Sequence, residues 1–261
     1  MELSIIVLNY KSDNLVKQCL KNIADLNLQI DHEVIVVDNN SKDNISSIMR
    51  EHFPQYRFIQ SNENKGMGAG NNVGFRNSRG KYILILNPDV VVFENSIEKL
   101  LELIKKYEKI GCVAPKLIYP NKNYQSSRYR FPTFFMPVFV RTGLKKFYKD
   151  KVRKYLMEDI PADNSHPIDW ARGSALLLDR EIFERVGGFD ERFFMYLEDT
   201  DLCRSVWNSD YEVWYEPNSQ MAHYYSRESN NNTWFLDLFR KMAWVHIFSW
   251  FKYFWKWRRA V

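Results

Sequence analysis

The stretch Tyr82-Ile83-Leu84-Ile85-Leu86-Asn87-Pro88-Asp89 decides the fold, because it joins a short apolar run directly to a turn and a carboxylate. Three further strand-like runs share this apolar character: Leu3 to Leu8, Glu33 to Val37 and Arg57 to Gln60. Apolar residues recur at helical spacing between Leu15 and Leu26 and between Ile97 and Tyr107. Short apolar strands that alternate with amphipathic helices predict a mostly parallel α/β sheet covered by helices on both faces.

The composition is that of a globular protein. Hydrophobic residues make up 45% of the 261 residues and charged residues 26%, and the net charge of +5 does not by itself indicate a nucleic-acid partner. Cys19, Cys112 and Cys203 lie far apart in the sequence without a metal-binding spacing, which favours a reducing compartment. The sequence starts without a basic leader and has no run of about 18 apolar residues. We therefore expect a cytoplasmic protein whose contact with any membrane is peripheral.

Polar residues follow each predicted strand, which is where parallel sheets bind their ligands. They are Asn9 and Tyr10, Asp38 to Ser41, Asn62 to Gly70, and Asn87 to Asp89. The segment Asp38 to Ser41 offers a carboxylate and three hydrogen-bonding side chains that suit a nucleotide base and its ribose. Asp, Asn and Ser are also preferred helix N-caps, so capping of a helix over Asp43 to Met49 is the alternative.

A glycine-rich segment, Asn64 to Asn72, is similar to loops that cradle phosphate groups. Asn71 stands where the dinucleotide fingerprint has its last glycine, and four residues separate the glycines from the preceding strand. A nicotinamide-dependent enzyme therefore stays only as an alternative. A plain turn before a helix with small, closely packing residues is another.

Asp89 and His223 are the candidate metal ligands. Asp89 ends a buried strand, and its carboxylate suits a hard divalent cation that binds a diphosphate. The alternative is a strand-ending turn, since Asn, Pro and Asp all favour turns. His223 follows a strand-like segment, and a neutral imidazole is a common metal ligand, although a lone histidine is more often structural.

An acidic cluster follows the segment Gly187 to Asp190. Glu198, Asp199 and Asp201 fall within four positions, and their mutual repulsion needs compensation from a helix N-terminus, a metal or a cation. A helix N-terminus also keeps a carboxylate ionised, as a general base requires. An ordinary acid-rich helix start is the alternative.

The middle and the end of the sequence differ in composition from the rest. Residues 116–168 are rich in Pro, Tyr, Lys and Arg and predict a variable insertion with a basic helical stretch near Arg141 to Lys154. Ordered patterns return with a strand over Asp169 to Leu178. We predict one domain over residues 1–232, with a first half over 1–115 and a last part over 169–232, followed by a tail over 233–261.

The tail is aromatic and basic. Trp234 to Arg259 holds five of the eight tryptophans, many phenylalanines and six basic residues against one acid, Asp237. This pattern predicts an amphipathic helix at a membrane surface, where aromatic rings favour the headgroup region and cations favour anionic lipid. The alternatives are a helix that packs on the domain or on a second copy of the chain, as in a homo-oligomer. Binding to nucleic acid would leave the acidic cluster unexplained, so we predict no nucleic-acid partner.

Together these segments resemble family 2 inverting glycosyltransferases of the GT-A fold, and most closely their rhamnosyltransferase-like branch. The resemblance covers roughly residues 3–228. It rests on eight motifs in family order: Val7 to Tyr10, Val37 to Ser41, Asn64 to Gly74, Asn87 to Asp89, Gly173 to Ala175, Gly187 to Glu191, Glu198 to Leu202, and His223.

The resemblance implies a Rossmann-like sheet and transfer of a sugar from a nucleotide diphosphate donor to an acceptor hydroxyl, with Asp199 as the catalytic base. It implies Mg²⁺ or Mn²⁺ at Asp89 and His223, although Asn87 replaces the first carboxylate of the family's metal motif. The donor would be a dTDP- or UDP-sugar such as rhamnose, and the acceptor a lipid-linked glycan at the cytoplasmic face of the membrane. Nucleotidyltransferase activity and sugar-nucleotide binding without catalysis are the alternatives.

The same resemblance makes residues 1–115 the nucleotide-sugar half and residues 169–232 the acceptor half, and it assigns two groups of contacts. The predicted nucleotide-sugar contacts are Asn9, Tyr10, Asp38, Asn40, Lys65, Gly66, Asn72, Asn87 and Asp89. The predicted contacts on the acceptor and sugar side are Trp170, Gly173, Ser174, Asp190 and Glu198.

Overall fold

The structure is a computed structural model that describes residues 1–141, 146–224 and 241–259. Part of the basic insertion, residues 142–145, and the first part of the tail, up to Arg240, lie outside the described residues. Among the described residues, no helix is both long enough and apolar enough to cross a membrane.

A central sheet of nine described strands runs in the order β3-β2-β1-β4-β10-β6-β11-β5, with β8 paired to β11, and β7 pairs with β9 in a small second sheet. The strands are β1 Leu3–Asn9, β2 His32–Asp38, β3 Arg57–Gln60, β4 Tyr82–Leu86, β5 Val90–Val92, β6 Ile110–Ile118, β7 Arg128–Tyr129, β8 His166–Pro167, β9 Trp170–Ala171, β10 Ala175–Asp179 and β11 Glu212–His223.

Helices cover both faces of the sheet. The described helices are α1 Asp13–Asp25, α2 Ile45–His52, α3 Met67–Arg76, α4 Ser96–Lys106, α5 Met136–Arg141, α6 Lys149–Tyr155, α7 Arg180–Arg185, α8 Glu198–Trp207 and α9 Lys241–Lys256. The predicted α/β architecture, with helices on both faces and a C-terminal helix, is therefore confirmed.

The central sheet is mostly parallel, as predicted, but it is mixed in direction instead of purely parallel. Strands β3, β2, β1 and β4 are parallel to one another, as β6 is to β11, whereas β10 runs antiparallel between β4 and β6. Strand β5 is also antiparallel to β11. An uninterrupted apolar run predicts burial on both faces, but it carries no information about strand direction.

The core lies in two layers, one on each face of the sheet. Alternation along β1 sends Ile5 and Val7 into one layer and Ile6 into the other, because successive side chains of a strand point to opposite faces. The first layer packs under α1 and α4, and the second under α7 and α8. All three cysteines are buried free thiols.

Two segments differ from their predicted limits. Strand β6 continues to Ile118, so the boundary at residue 116 cuts through a central strand instead of marking the start of an insertion. Strand β11 extends from Glu212 to His223, so His223 belongs to the strand that it was predicted to follow. The longer strand carries His223 to the same edge of the sheet as Asp89.

Candidate active site

A polar cluster lies where β1 and β2 end. Asn9 and Asp38 are paired in register, and the Asn9 amide nitrogen donates to Asp38 Oδ1 at 2.8 Å. Ser41 Oγ donates to the same oxygen at 2.6 Å, and Gln60 Nε2 donates to Asp38 Oδ2 at 2.7 Å. Asp38 is 2% exposed. Its segment thus forms a rigid turn held by its own side chains, and it does not cap helix α2, whose N-cap is Asn44.

The glycine loop is held against this cluster and against the segment before α8. The Asn39 amide donates to Asn64 Oδ1 and to the Gly66 carbonyl, at 2.8 and 3.0 Å. Gly66 has a φ of 102° and begins α3, and Met67 N–H donates to the Phe194 carbonyl at 2.9 Å. A Cβ at Gly66 would lie 2.1 Å from that carbonyl oxygen. Only glycine fits this position.

The remaining predicted donor contacts occupy varied positions. Asn72 is buried and exchanges hydrogen bonds with the Phe189 backbone at 2.8 and 2.9 Å, so its amide joins α3 to the segment before α8. Asn40 donates to the Asn62 carbonyl. Tyr10 is exposed beyond β1, and Lys65 is exposed and paired with Glu63 at 2.9 Å. Their contact with a donor stays a prediction.

Asp89 and His223 meet at the sheet edge. His223 Nε2 lies 3.2 Å from Asp89 Oδ2 and 3.3 Å from Ser174 Oγ. Its Nδ1 lies 2.9 Å from Gln125 Oε1, and because an amide oxygen only accepts, Nδ1 carries the proton. With the proton on Nδ1, a neutral ring would present the Nε2 lone pair toward the carboxylate, whereas a protonated ring would donate to it.

This pair fits a divalent cation. A lone pair that faces a carboxylate is unfavourable unless the ring is protonated or a cation lies between them, and Asp89 Oδ1 is buried without a hydrogen-bond partner. Gln125 would act as the outer partner that orients a metal-ligating histidine. Among the described residues no group of three or more His, Cys, Asp or Glu side chains is placed to hold a metal. A cation here would thus need ligands from a diphosphate and water, as Mg²⁺ commonly does.

Asp199 lies in the first turn of α8 with both oxygens oriented by backbone N–H groups. Oδ2 accepts from Gly173 N–H at 2.9 Å, and Oδ1 accepts from Thr200 N–H at 2.7 Å. Burial raises the pKa of Asp199, while these hydrogen bonds and the nearby Arg172 guanidinium lower it in part. The result is a fixed carboxylate whose basicity is increased by its surroundings.

Glu198 precedes Asp199 and is 5% exposed. Burial, and secondarily the charge of Asp199, raises the pKa of Glu198 to about 8. One of its oxygens, Oε2, is buried without a partner. Burial thus raises the pKa of both adjacent carboxyl groups, and the hydrogen bonds to Asp199 offset part of the rise there.

Gly173 and Ser174 join the two halves of the site. Gly173 N–H holds Asp199, the Ser174 carbonyl accepts from Asn87 N–H at 2.9 Å, and Ser174 Oγ reaches His223. Two consecutive residues, Gly173 and Ser174, therefore link Asp199 to the Asp89 and His223 pair. Ser174 thus contacts His223, and its place on the acceptor side stays a prediction.

Trp170 and Asp190 flank this centre. The Trp170 ring stacks on Tyr129 with centroids 4.3 Å apart and donates to the Arg130 carbonyl. Asp190 pairs with Arg192 at 2.5 Å and with Lys256 of α9 at 3.0 Å, and these cations hold the pKa of its carboxyl well below its usual range.

Two contributors have no signal in the sequence. Gln125 lies in the segment predicted as a variable insertion, yet it is 1% exposed and orients His223. Lys256 belongs to the tail but bonds to Asp201 at 2.7 Å, two residues after Asp199. Both contacts bring together residues far apart in the chain, so local pattern could not reveal them.

The sequence model of the family described as Glycosyl transferase family 2 matches residues 4–167. The N-acetylglucosaminyl-diphospho-decaprenol L-rhamnosyltransferase of Mycobacterium tuberculosis is 28% identical over 222 residues, covering 77% of this chain and 70% of that protein. The rhamnosyltransferase WbbL of Escherichia coli is 28% identical over 273 residues, covering 95% and 91%. The solved mannosyltransferase from Pyrobaculum calidifontis, in complex with GDP-Man and Mn²⁺, has a TM-score of 0.63 at 18% identity over 87% of this chain and 58% of that chain.

Proposed function

The chain belongs to glycosyl transferase family 2, and on that premise we propose that it is an inverting glycosyltransferase in which Asp199 is the general base. The observation that carries this proposal is the position of Asp199, held by Gly173 N–H and Thr200 N–H and joined through Ser174 to the Asp89 and His223 pair. Such a carboxylate takes the proton of an acceptor hydroxyl while that oxygen attacks the anomeric carbon. The nucleoside diphosphate leaves from the opposite face, and the configuration inverts.

On the donor side, Asp89 and His223 would hold Mg²⁺ or Mn²⁺, which would neutralise charge on the departing diphosphate. The mannosyltransferase of similar fold was solved with GDP-Man and Mn²⁺. The Asn9 and Asp38 cluster provides a rigid floor for the base and ribose. The diphosphate of the donor would lie beside the Gly66 segment, which bonds to the segment before α8 through Met67 N–H.

The acceptor proposed here is a lipid-linked glycan, and the sugar is rhamnose from a dTDP- or UDP-sugar. Support comes from the mycobacterial relative, whose name describes transfer of L-rhamnose to N-acetylglucosaminyl-diphospho-decaprenol. Arg172 has its guanidinium 2.8 Å from Tyr129 Oη, beside the base, where a cation would suit an acceptor with phosphate groups. We keep the division into a domain over residues 1–232 and a tail over 233–261 as part of this proposal.

The tail would place the enzyme on the membrane that carries such an acceptor. Four aromatic side chains of α9 are at least half exposed and recur at helical spacing: Trp244, Phe248, Phe251 and Trp255. Exposed Lys252, Arg258 and Arg259 provide the positive charge that anionic headgroups attract. The opposite face of α9 packs on the domain, so the helix combines the predicted surface with the packing that was its alternative.

The test begins with binding. Ligands that bind only the folded state raise its melting temperature, so a panel of nucleotide sugars with and without Mn²⁺ identifies the donor. Transfer to a short-chain N-acetylglucosaminyl diphospholipid is then measured as the amount of nucleoside diphosphate released. Pyrophosphate release would instead indicate a nucleotidyltransferase, and binding of a nucleotide sugar without any turnover would indicate a non-catalytic module.

The role of Asp199 is tested by Asp199→Asn. Because a general base contributes roughly 10² to 10⁴ in rate, transfer should fall by that factor while the donor-induced shift in melting temperature persists. The matched control is Glu181→Gln, which changes an exposed acid in the first turn of α7. Normal transfer by Asp199→Asn would overturn the assignment.

A further inference from the structure

The backbone is constrained immediately before the base. Tyr196 and Leu197 have φ angles of 69° and 67°, so two consecutive non-glycine residues adopt the left-handed conformation. Such residues persist only where their surroundings hold them. Leu197 is the N-cap of α8 and makes no side-chain capping bond. The direction in which α8 starts, and hence the position of Asp199, must be fixed by other contacts.

Helix α9 supplies contacts along this turn. Ser249 Oγ donates to the Met195 carbonyl at 2.8 Å, and Lys252 Nζ donates to the Arg192 carbonyl at 2.6 Å. A small apolar cluster packs beneath them, made of Phe193, Leu197, Tyr253 and Trp257. The turn is therefore enclosed between α9 and the glycine loop, whose Met67 N–H bonds to Phe194.

Two further contacts from the end of α9 reach Asp201, which is 1% exposed. Lys256 Nζ donates to Asp201 Oδ2 at 2.7 Å, and Trp257 Nε1 donates to Oδ1 at 2.8 Å. Lys256, the last residue of α9, and Trp257, the residue after it, thus bind both carboxylate oxygens. Lys256 also bonds to Asp190, so one ammonium joins the two ends of the turn.

The positive charge of Lys256 also offsets the electrostatic repulsion within the acidic cluster. Glu198, Asp199 and Asp201 share the first turn of α8. Burial raises the pKa of Asp201, and the bonds from Lys256 and Trp257 act in the opposite direction by favouring its ionised form. Without them a buried carboxylate would stand unpaired two residues from the base, which is unfavourable.

We propose that Lys256 and Trp257 are positioning residues for catalysis, which hold Asp201 and thereby fix the first turn of α8 and the orientation of Asp199. This inference rests on the proposed role of Asp199 as the base. It makes the C-terminal helix part of the catalytic apparatus. A tail that served only to bind a surface would have no need of these buried contacts.

The test compares Lys256→Met and Lys256→Arg in the full chain, with the donor and acceptor that the wild type uses. Lys256→Met should lower kcat by about tenfold or more at saturating substrates, with the Kd for the donor unchanged within about twofold. Lys256→Arg keeps the charge and should restore most of kcat. The control is Lys99→Met, which removes an exposed lysine paired with Glu102 on the distant α4.

Amide hydrogen exchange provides a readout that does not depend on turnover. Asp201 N–H bonds to the Leu197 carbonyl at 2.8 Å, so loosening of the turn in Lys256→Met should speed exchange over residues 196–201 and leave β1 unchanged. If Lys256→Met fails to fold, Trp257→Phe keeps an aromatic ring in the apolar cluster and removes the Nε1 donor together with part of the ring volume.

The outcomes separate the two proposals. A folded Lys256→Met enzyme with kcat within about twofold of wild type, or with unchanged exchange over residues 196–201, would overturn the inference. Equal loss of donor binding and kcat would also overturn it, since the helix would then only stabilise the domain. A wild type that transfers no sugar would instead refute the proposed function, while exchange would still decide whether Lys256 orders the turn.

Discussion

Replacement of Gly66 by alanine tests the contact that joins the glycine loop to the acceptor half. With φ at 102° and ψ at 179°, Gly66 occupies a region that is essentially restricted to glycine, and this strain costs about 1–3 kcal/mol in any other residue. The new Cβ would lie 2.1 Å from the backbone oxygen of Phe194, which has no rotamer through which to move away. Separation of the segments would also break the Met67 to Phe194 hydrogen bond, worth about 0.5–1.5 kcal/mol. The two costs add to about 1.5–4.5 kcal/mol, with a midpoint of about 3 kcal/mol.

Gly187→Ala is the matched control. Gly187 also has a positive φ, 81°, but an added Cβ would meet nothing within 4 Å, so only the conformational cost of about 1–2 kcal/mol applies. Urea unfolding of both variants gives the difference directly, which we expect to be about 2 kcal/mol. Transfer activity should also fall in Gly66→Ala. If Gly66→Ala lost no more stability than Gly187→Ala, the close approach of the loop to Phe194 would be wrong.

The remaining predictions concern the acidic pair, the metal site and the tail. Burial raises the pKa of Glu198 from 4.5 to about 8, so between these values the folded state holds a proton that the unfolded state lacks, and stability falls as the pH rises. Glu198→Gln should flatten this slope by up to about 1.4 kcal/mol per pH unit in urea titrations from pH 5 to 8, and an unchanged slope would contradict the shift. His223→Ala should weaken the binding of Mn²⁺ by about tenfold or more in thermal titrations, without altering nucleotide binding in the absence of metal. Mn²⁺ binding equal to that of the wild type would exclude a ligand role for His223. The double variant Phe251→Ser, Trp255→Ser should lose salt-sensitive binding to anionic vesicles; retained binding, or equal binding of single-stranded DNA by the wild type, would argue against a lipid surface.

Local sequence pattern was sufficient to predict three of the strands in the first part of the chain. The apolar runs at Leu3, Glu33 and Tyr82 are β1, β2 and β4, and their polar ends meet at one edge because neighbouring parallel strands end together. The helix over Glu198 to Trp207 was also predictable, since its acids fall at a helix start. In these cases the information lies within about ten residues of sequence.

The parts that could not be predicted depend on contacts between distant segments. Strand β10 runs antiparallel to β4, and the apolar residues of β10 carry no information about that direction. Gln125 lies 98 residues before His223, and Lys256 lies 55 residues after Asp201. Hydrophobic periodicity does not describe such pairs, because each residue alone fits an exposed loop or an exposed helix face equally well.

The two faces of α9 connect the proposed membrane surface with the proposed catalytic base. One face exposes aromatic rings such as Trp255, which is 70% exposed, and the other holds Asp201 through Lys256 and Trp257. A partner that binds α9 only while α9 is docked on the domain stabilises the docked helix, and with it the ordered turn before Asp199. The size of the effect is set by the difference between the partner's affinities for the docked and undocked states. If both proposals hold, a membrane that carries the acceptor would also favour the arrangement in which the base is competent. The sugar nucleotide would then be used most efficiently where the acceptor is present, because both requirements converge on one helix of 16 residues.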